Sequence, residues 1–530
     1  MKNNYKIILE NKKNEFNFKK GNSKFHVSFN RVAFIFFCFF LISLIYSIHL
    51  LHLGSRQEKI SINNFVSISN NLYRADIVDR NDNYLVKTVS SINVGISTQK
   101  VIDKKKLLIN LKYIFPEKNF KEIEKKMNNK KFFYFEKKIS EENYEKIMLL
   151  GDNSIQAEEK LTRIYPDRNL FSHILGQTDS DNNGISGLEK SLDKILKSNK
   201  EPIKLTVDKD IQFLLRNELI KFNKIFSTKG SAAILMNVNN GEILSLVSLP
   251  DFDPNKREKI VDKNYINRAT KGVYEFGSVF KTFTLASAFN ERIIEPQTKF
   301  NNLPKSLTCA GFTISEYDNK IPSNLTAEQI LVRSGNIGSV KIGQKVGEEK
   351  FKLFLSKIGV LNEINFDIEE VGKPLKIKWG KCPLATSSFG HGITTTLLQL
   401  AKAYSIIVNG GYNITPSLIK NEKQNKKERI LNEEVSKMIL PILRKIVTSK
   451  EGTASLADVD GYEIGGKTGT AEKSTSGGYS NKKINSFISV LPTSRPKFVL
   501  AVMLDEPTNS KDYIYHYRDG SNIKYKGTPF

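Results

Sequence analysis

Cysteine is scarce, with three in 530 residues. None sits in a C-x-x-C pair or any other spacing that zinc sites use, so neither a metal nor a cofactor is expected. Cys38 lies in an apolar run. Cys309 and Cys382 are able to pair in an oxidising compartment, but sequence alone leaves open whether their Cα atoms come within the ~4.4–6.8 Å a disulfide needs. Internal repeats and low-complexity linkers are absent too, which argues against a repeat architecture. There is no second long apolar run, so one segment alone is a candidate to cross a bilayer.

Acidic residues are outnumbered, 56 Asp and Glu against 81 Lys and Arg, for a net charge of +25. The lysines are spread along the chain among many Asn and Ile and do not gather into an aromatic-interleaved stripe. No nucleic-acid partner is therefore expected. The excess reads as a general bias that assists contact with anionic surfaces, since net charge speaks to association and not to fold. With 39% hydrophobic and 26% charged residues the composition is that of a globular protein, and the length predicts two or three folded units.

The one apolar run is Val32 to Leu53, VAFIFFCFFLISLIYSIHLLHL. About 20 such residues span a bilayer core. Residues 1–31 before it carry eight Lys or Arg against two Glu, so the positive-inside rule predicts a cytoplasmic N-terminal tail and a chain that passes outward. No small-x-small cleavage pattern comes after the run, so it reads as an uncleaved anchor over 32–53 and not as a signal peptide. About 475 residues then face the extracytoplasmic side.

Beyond the anchor, residues 54–200 alternate β-rich stretches (ADIVD, YLVKTV) with helical ones (NFKEIEKKMNN, SEENYEKIMLL), predicting an elongated α+β domain. From 201 the pattern changes. SAAILMNV and ILSLVS flank an Asn-Asn-Gly turn, a hairpin signal. Helical stretches dominate from Asn267 to about Val408, and the apolar runs INSFISVLP and KFVLAVMLD come late. An early hairpin, a helical insert and late strands predict one antiparallel sheet closed by distant parts of the chain, over a domain spanning 201–530.

Acyl transfer needs a nucleophile, a base and donors for an oxyanion. Ser278-Val279-Phe280-Lys281 supplies the first two: positions i and i+3 of a helix share a face, so hydroxyl and amine can meet. The apolar surroundings, Phe280, Phe283, Leu285 and Phe289, disfavour a charged ammonium and push the lysine toward a usable base. The same S-x-x-K spacing recurs at Ser97, Ser191, Ser417, Ser480 and Ser494, so spacing alone decides nothing. Only Ser278 has both an apolar helix and two partner motifs in order, Ser334-Gly335-Asn336 and Lys467-Thr468-Gly469-Thr470. The glycines of the last motif leave room for a substrate backbone, and Lys467 with the two threonines offers donors to a carboxylate.

The ordered set S-x-x-K, S-x-N, K-T-G resembles the penicillin-binding proteins and serine β-lactamases. Longer context resembles class B penicillin-binding proteins: Asn267-Arg268-Ala269, Tyr274-Glu275-Phe276-Gly277, Thr206-Val207-Asp208, Ser387-Ser388-Phe389-Gly390-His391-Gly392, Arg74-Ala75-Asp76-Ile77-Val78-Asp79-Arg80 and Gly187-Leu188-Glu189. The resemblance implies an α+β multidomain chain with an N-terminal anchor, a pedestal and a transpeptidase domain. It implies that Ser278 attacks the penultimate D-alanine of a peptidoglycan stem peptide. Lys281 is then the base, Ser334 and Asn336 relay protons and hold the substrate amide, and Lys467, Thr468, Gly469 and Thr470 bind the carboxylate of substrate or β-lactam. The backbone N–H groups of Ser278 and Thr470 form the oxyanion hole.

It further implies the cell inner membrane, a periplasmic bulk, and glycosyltransferase and divisome partners. The Arg74–Arg80 opening is more like the septal than the elongation branch. Departures are Phe276 where the family usually has Pro, the small Gly335, and a chain that stops at Gly527-Thr528-Pro529-Phe530 where a further C-terminal helix is implied.

Two rivals are weaker. A β-lactamase or β-lactam sensor needs a separate base for water, and no such motif stands out. Residues 461–468 satisfy the P-loop expression literally, yet the next stretch, GTAEKSTSGGYSNKK, is polar and glycine-rich. It is not the amphipathic helix that a phosphate loop must open.

Overall fold

The computed structural model describes residues 25–55, 73–179, 181–256, 265–421, 428–475, 478–510, 513–516 and 522–524. The tail as far as residue 24 and the terminal Gly527–Phe530 lie outside the described residues. Two units are distinguished, Met1–Leu72 and Tyr73–Phe530. In the first, helix α1 runs Phe25–Ser55. Its Ala33–Leu51 stretch has a mean hydropathy of 2.4 over 19 residues, with none of it buried against protein. At ~1.5 Å per residue that length crosses a bilayer core.

The second unit opens with a sheet built from β1 (Ile77–Val78) and the long β2 (Tyr84–Ser97). Helices α2 (Lys104–Ile114) and α3 (Phe120–Asn129) come next, then β3 (Phe132–Ile139), α4 (Glu141–Met148) and β4 (Ile155–Ile164). Strand β2 pairs antiparallel with β1, β3 and β4, while β5 (Ile203–Lys204) pairs parallel with β1. Each of the three helices starts where the sequence offers a cap: the side chains of Asp103, Asn119 and Ser140 accept a backbone N–H from the first turn. The apolar residues Leu107, Leu111, Ile123, Met127 and Ile147 then meet Phe133 and Phe135 in a small core of their own.

Arg74, Arg163 and Glu189 form a buried ionic cluster. Glu189 Oε2 accepts from Arg74 Nη2 at 2.6 Å and Oε1 accepts from Arg163 Nε at 2.7 Å. Tyr165 OH lies 3.2 Å from the same Oε1. The exposures of Arg74, Arg163 and Glu189 are 1%, 1% and 0%, so one carboxylate serves two guanidiniums that have no water to turn to.

Helix α5 (Lys209–Ile225) leads to the expected hairpin, β6 (Gly230–Asn237) and β7 (Ile243–Leu249), whose turn holds Gly241 at φ +78°. The buried helix α6 (Phe280–Asn290) comes next, then a small hairpin of β8 (Ser306–Cys309) and β9 (Phe312–Ser315). The helical part goes on with α7 (Asn336–Val346), α8 (Lys381–Ser387), α9 (Leu397–Val408) and α10 (Glu433–Thr448), with the helices Ala327–Val332 before α7 and Glu348–Lys357 after it. The late strands β10 (Gly465–Thr475), β11 (Gly478–Leu491) and β12 (Phe498–Asp505) return to the hairpin. The sheet order is β10-β11-β12-β6-β7, antiparallel throughout.

Closure of that sheet is the pairing of β12 with β6, from Phe498↔Asn237 to Asp505↔Gly230. Alternation decides which face each residue serves. On β12, Val499, Ala501 and Met503 join the main core beneath α9 and α10, while Leu500, Val502 and Leu504 pack with Leu215 and Leu219 of α5 on the opposite face. Cys309 and Cys382 are joined in a disulfide, Cα atoms 5.7 Å apart, settling the point that sequence left open.

Replacing Glu189 by Ala takes the carboxylate from Arg163 and leaves Arg74 with Asp193 and the backbone oxygens of residues 182 and 189. We expect Glu189→Ala to cost about 3–5 kcal/mol, read as a lowered denaturant midpoint. A midpoint equal to the parent's would mean that the cluster adds nothing to the stability of the fold.

Candidate active site

The segment before α6 is Tyr274-Glu275-Phe276-Gly277-Ser278-Val279. Gly277–Val279 form a single 3₁₀ turn that runs directly into α6, every residue of which from Phe280 to Phe289 is buried. A helix buried on all sides sits in the middle of a domain, and it delivers Ser278 half-buried at its leading end. Gly277 has φ +58°, and a Cβ there would lie 2.3 Å from Thr470 O. A side chain at this position would push the turn off strand β10. From α9, Tyr404 OH donates to Val279 O at 2.8 Å and lies 2.9 Å from Thr282 Oγ1, pinning the first turn. Phe276 is fully buried and meets Tyr274 edge to face, ring centroids 6.0 Å apart.

Lys281 points inward with 1% exposure. Its Nζ donates to Ser334 O at 2.5 Å, Asn336 Oδ1 at 2.6 Å and Ser334 Oγ at 3.1 Å. The amine expected to meet the Ser278 hydroxyl is thus engaged with the Ser-Gly-Asn loop, and Ser278 Oγ makes no hydrogen bond among the described residues. The physical reason is supply: the loop presents three oxygens to a desolvated amine, and Ser278 presents one. Burial pushes Lys281 down to about 7, against the opposing pull of the Glu316 carboxylate. Ser334 adopts φ +57°, a left-handed conformation that a non-glycine residue holds only where its surroundings compel it.

From the other side, Lys467 Nζ donates to Ser334 Oγ and to Thr468 O, both at 3.0 Å. Two amines therefore share one hydroxyl. Lys467 lies far below its ordinary range because of its burial first and the Lys281 charge second. Thr468 Oγ1 is 2.9 Å from Thr453 Oγ1, and Thr470 is exposed. A Cβ on Gly469 would lie 2.3 Å from Phe276 O, so β10 also touches the nucleophile turn at a second point. Lys467 stands in mid-strand opposite Ile488. No helix opens after it, and the phosphate-loop reading of 461–468 fails on this geometry.

The structure therefore brings together all three motifs: Ser278 and Lys281, Ser334 and Asn336, and Lys467 to Thr470. It adds residues that motif reading did not assign. Thr453 has no local signal at all. Glu275 accepts from Gly392 N at 3.1 Å and from Tyr479 OH at 3.2 Å, and burial raises its carboxyl. The His391 ring lies between Phe389 and Tyr479, centroids 5.0 and 5.7 Å away. Burial and then the Lys281 charge hold it below the ordinary histidine range. Glu316 reaches the start of α7 from 20 residues earlier. Of the competing S-x-x-K serines, Ser417 Oγ donates to Asp367 Oδ2 and Ser480 Oγ to Lys473 O. Among the described residues no group of three or more His, Cys, Asp or Glu is placed to hold a metal ion.

A family model described as the penicillin binding protein transpeptidase domain matches residues 231–520, and one described as the penicillin-binding protein dimerisation domain matches 70–221. The chain is 30% identical over 452 residues to a probable peptidoglycan D,D-transpeptidase FtsI of Caulobacter vibrioides, covering 82% of this chain and 76% of that protein. It is also 30% identical to stage V sporulation protein D of Bacillus subtilis, covering 82% and 74%. The fold matches the solved structure of penicillin binding protein 3 from Mycobacterium tuberculosis in complex with aztreonam. That match has a TM-score of 0.65 at 22% identity and covers 82% of this chain and 90% of that one.

The depressed Lys281 amine has a consequence for stability. Unfolded, it titrates near 10.5; folded, near 7. Between those values the unfolded chain binds a proton that the folded chain does not, so folding gains stability as pH rises through the window and carries the full cost of the buried charge below it. Against Lys281→Met, the parent is expected to gain up to about 1.4 kcal/mol per pH unit between about pH 7 and 10, measured by denaturant unfolding. A parent-minus-variant difference that stays flat over this window would refute the depressed value.

Proposed function

The chain belongs to the class B penicillin-binding protein transpeptidases, and on that footing we propose that it cross-links peptidoglycan during septal wall synthesis through an acyl-enzyme on Ser278. The observation that carries the assignment of residues is the convergence of Lys281, Ser334, Asn336 and Lys467 in one buried network beside the Ser278 turn. A peptidoglycan transpeptidase of this family acts on stem peptides and binds β-lactams, and both reactions begin with the same serine attack.

A lysine that titrates near 7 is substantially neutral at working pH, as a general base should be. The neutral amine keeps two N–H donors for its three acceptors and frees a lone pair for Ser278. In acylation the Ser278 proton passes to Lys281 Nζ while Oγ bonds to the carbonyl carbon of the penultimate D-alanine. The oxyanion faces the backbone N–H groups of Ser278 and Thr470, a placement supported by the close approach of Gly277 to Thr470. The proton then travels by way of Ser334 to the leaving nitrogen, the C–N bond breaks and terminal D-alanine departs. An amine from a neighbouring strand attacks the ester, gives its proton to the same relay, and Ser278 is restored. Lys467, Thr468 and Thr470 line the position for the substrate carboxylate, with Gly469 leaving room for its backbone.

The protein is membrane-anchored. The basic tail before α1 supports an N-terminus in the cytoplasm and a catalytic part in the periplasm, held to the inner membrane. Residues 70–221 offer the docking surface for a glycosyltransferase and other division proteins, because this class lacks polymerase activity of its own.

The test is covalent labelling of the full chain with a fluorescent penicillin. Label that survives denaturation on the parent and is lost in Ser278→Ala supports the reading, with a rate that rises as pH passes through about 7. A folded parent that takes no label refutes it.

A further inference from the structure

We infer that Glu316 is a positioning residue of this site: its carboxylate, delivered on a disulfide-held hairpin, clamps the Ser-Gly-Asn loop in the shape that lets Ser334 and Asn336 hold the Lys281 amine. The inference rests on the function proposed above and extends it to a residue outside the three motifs.

Helix α7 begins at Asn336, and its first-turn N–H groups have no partner within the helix. The residue at its cap is Gly335, which has no side chain to satisfy them. Glu316 does so from outside: Oε2 accepts the Asn336 N–H at 2.6 Å and Oε1 accepts the Ile337 N–H at 3.0 Å. A carboxylate at a helix start is favoured by charge-assisted hydrogen bonding and by the helix dipole together.

Its neighbours clamp the same loop. Asn336 Nδ2 donates to Ser315 O at 2.8 Å, which turns the amide so that Oδ1 faces Lys281 Nζ. Tyr317 OH donates to Arg333 O at 3.0 Å, on the far side of Ser334. Three consecutive residues thus grip both ends of a loop whose central serine is held at φ +57°.

The hairpin is itself tethered. The Cys309–Cys382 disulfide ties its turn to the start of α8. The segment after α8 carries Gly390, where a Cβ would lie 2.0 Å from Gly277 O. One covalent link therefore joins the support of Ser334 and Asn336 to the support of Ser278.

Charge follows geometry. Lys281 is faced by Lys467 from β10, by His391 from the loop after α8 and by Glu316 from the hairpin. Of these only Glu316 is negative, and it holds the amine above the value that burial alone would set. Around the adjacent Tyr317 stand Glu316, Asp318 and Arg333, the last at the C-terminal cap of the helix Ala327–Val332.

The experiment measures second-order acylation of the full chain by fluorescent penicillin across about pH 5.5 to 9, for the parent, Glu316→Gln and Glu316→Asp. Glutamine removes the charge and opposes an amide to one of the two N–H groups. Acylation at neutral pH should fall roughly tenfold or more, and the midpoint of the acid limb should move to lower pH. Aspartate keeps the charge and should keep the parent midpoint with an intermediate rate. Glu316→Ala removes the charge without opposing an amide to those N–H groups and serves the same test if the glutamine chain does not fold. Parent-like rates and midpoint in Gln or Ala overturn the inference while leaving the proposed function intact. So does an equal loss in Gln and Asp with no shift of midpoint, which would mark Glu316 as a structural support only. A folded parent that takes no label removes the proposed function, and this inference with it.

Discussion

A lysine amine taken wholly out of water must be given back its hydrogen bonds by the protein, and the Lys281 pocket is organised by that demand. The oxygens that answer it come from residues more than 50 positions away, Ser334 and Asn336. To present them, Ser334 accepts a left-handed backbone and Asn336 opens a helix capped by a carboxylate from another element. A second buried lysine, Lys467, competes for the same Ser334 hydroxyl, so neither amine holds a proton as a solvated lysine does. Depressed amines linked through a hydroxyl form a proton path, which is what acyl transfer at a serine requires.

Such an arrangement tolerates little slack, and the sheet supplies the rigidity. Strand β10 is an edge that reaches the site only because β12 pairs with β6, a strand some 260 residues earlier in the chain. Glycines make the final approach possible. Gly277, Gly469 and Gly390 each stand where a Cβ would fall within 2.3 Å of a backbone oxygen of the neighbouring segment. These three contacts bind the nucleophile turn on both sides, while Tyr404 holds it from below.

Much of this is legible in the sequence. The hairpin at the Asn-Asn-Gly turn, the capped helices at Asn119 and Ser140, the apolar-rich helix after Ser278 and the late strands all form where local pattern places them. Local signals suffice because each depends on near neighbours: caps, turn residues and hydrophobic period. Partners met across long separations do not show. Thr453 lies beside Thr468, Glu316 beneath Asn336, and Glu275 against Tyr479, and none of these pairs leaves a trace in spacing. The direction of the Lys281 amine departs from expectation for the same reason. Helical geometry places it on the face of Ser278, but the acceptors that draw it away belong to another element.

By itself the sequence determined the chemistry on offer: a serine and a lysine three apart on an apolar helix, two ordered partner motifs, one membrane-crossing segment and a paucity of metal ligands. Residue type and local period set these, and neither needs a fold to act. Only the tertiary structure decided which amine faces which oxygen, that Cys309 pairs with Cys382, and that Lys467 stands in an edge strand and not in a phosphate loop. Those outcomes turn on desolvation and close approach between distant segments, and both come into being only when the sheet closes and water leaves.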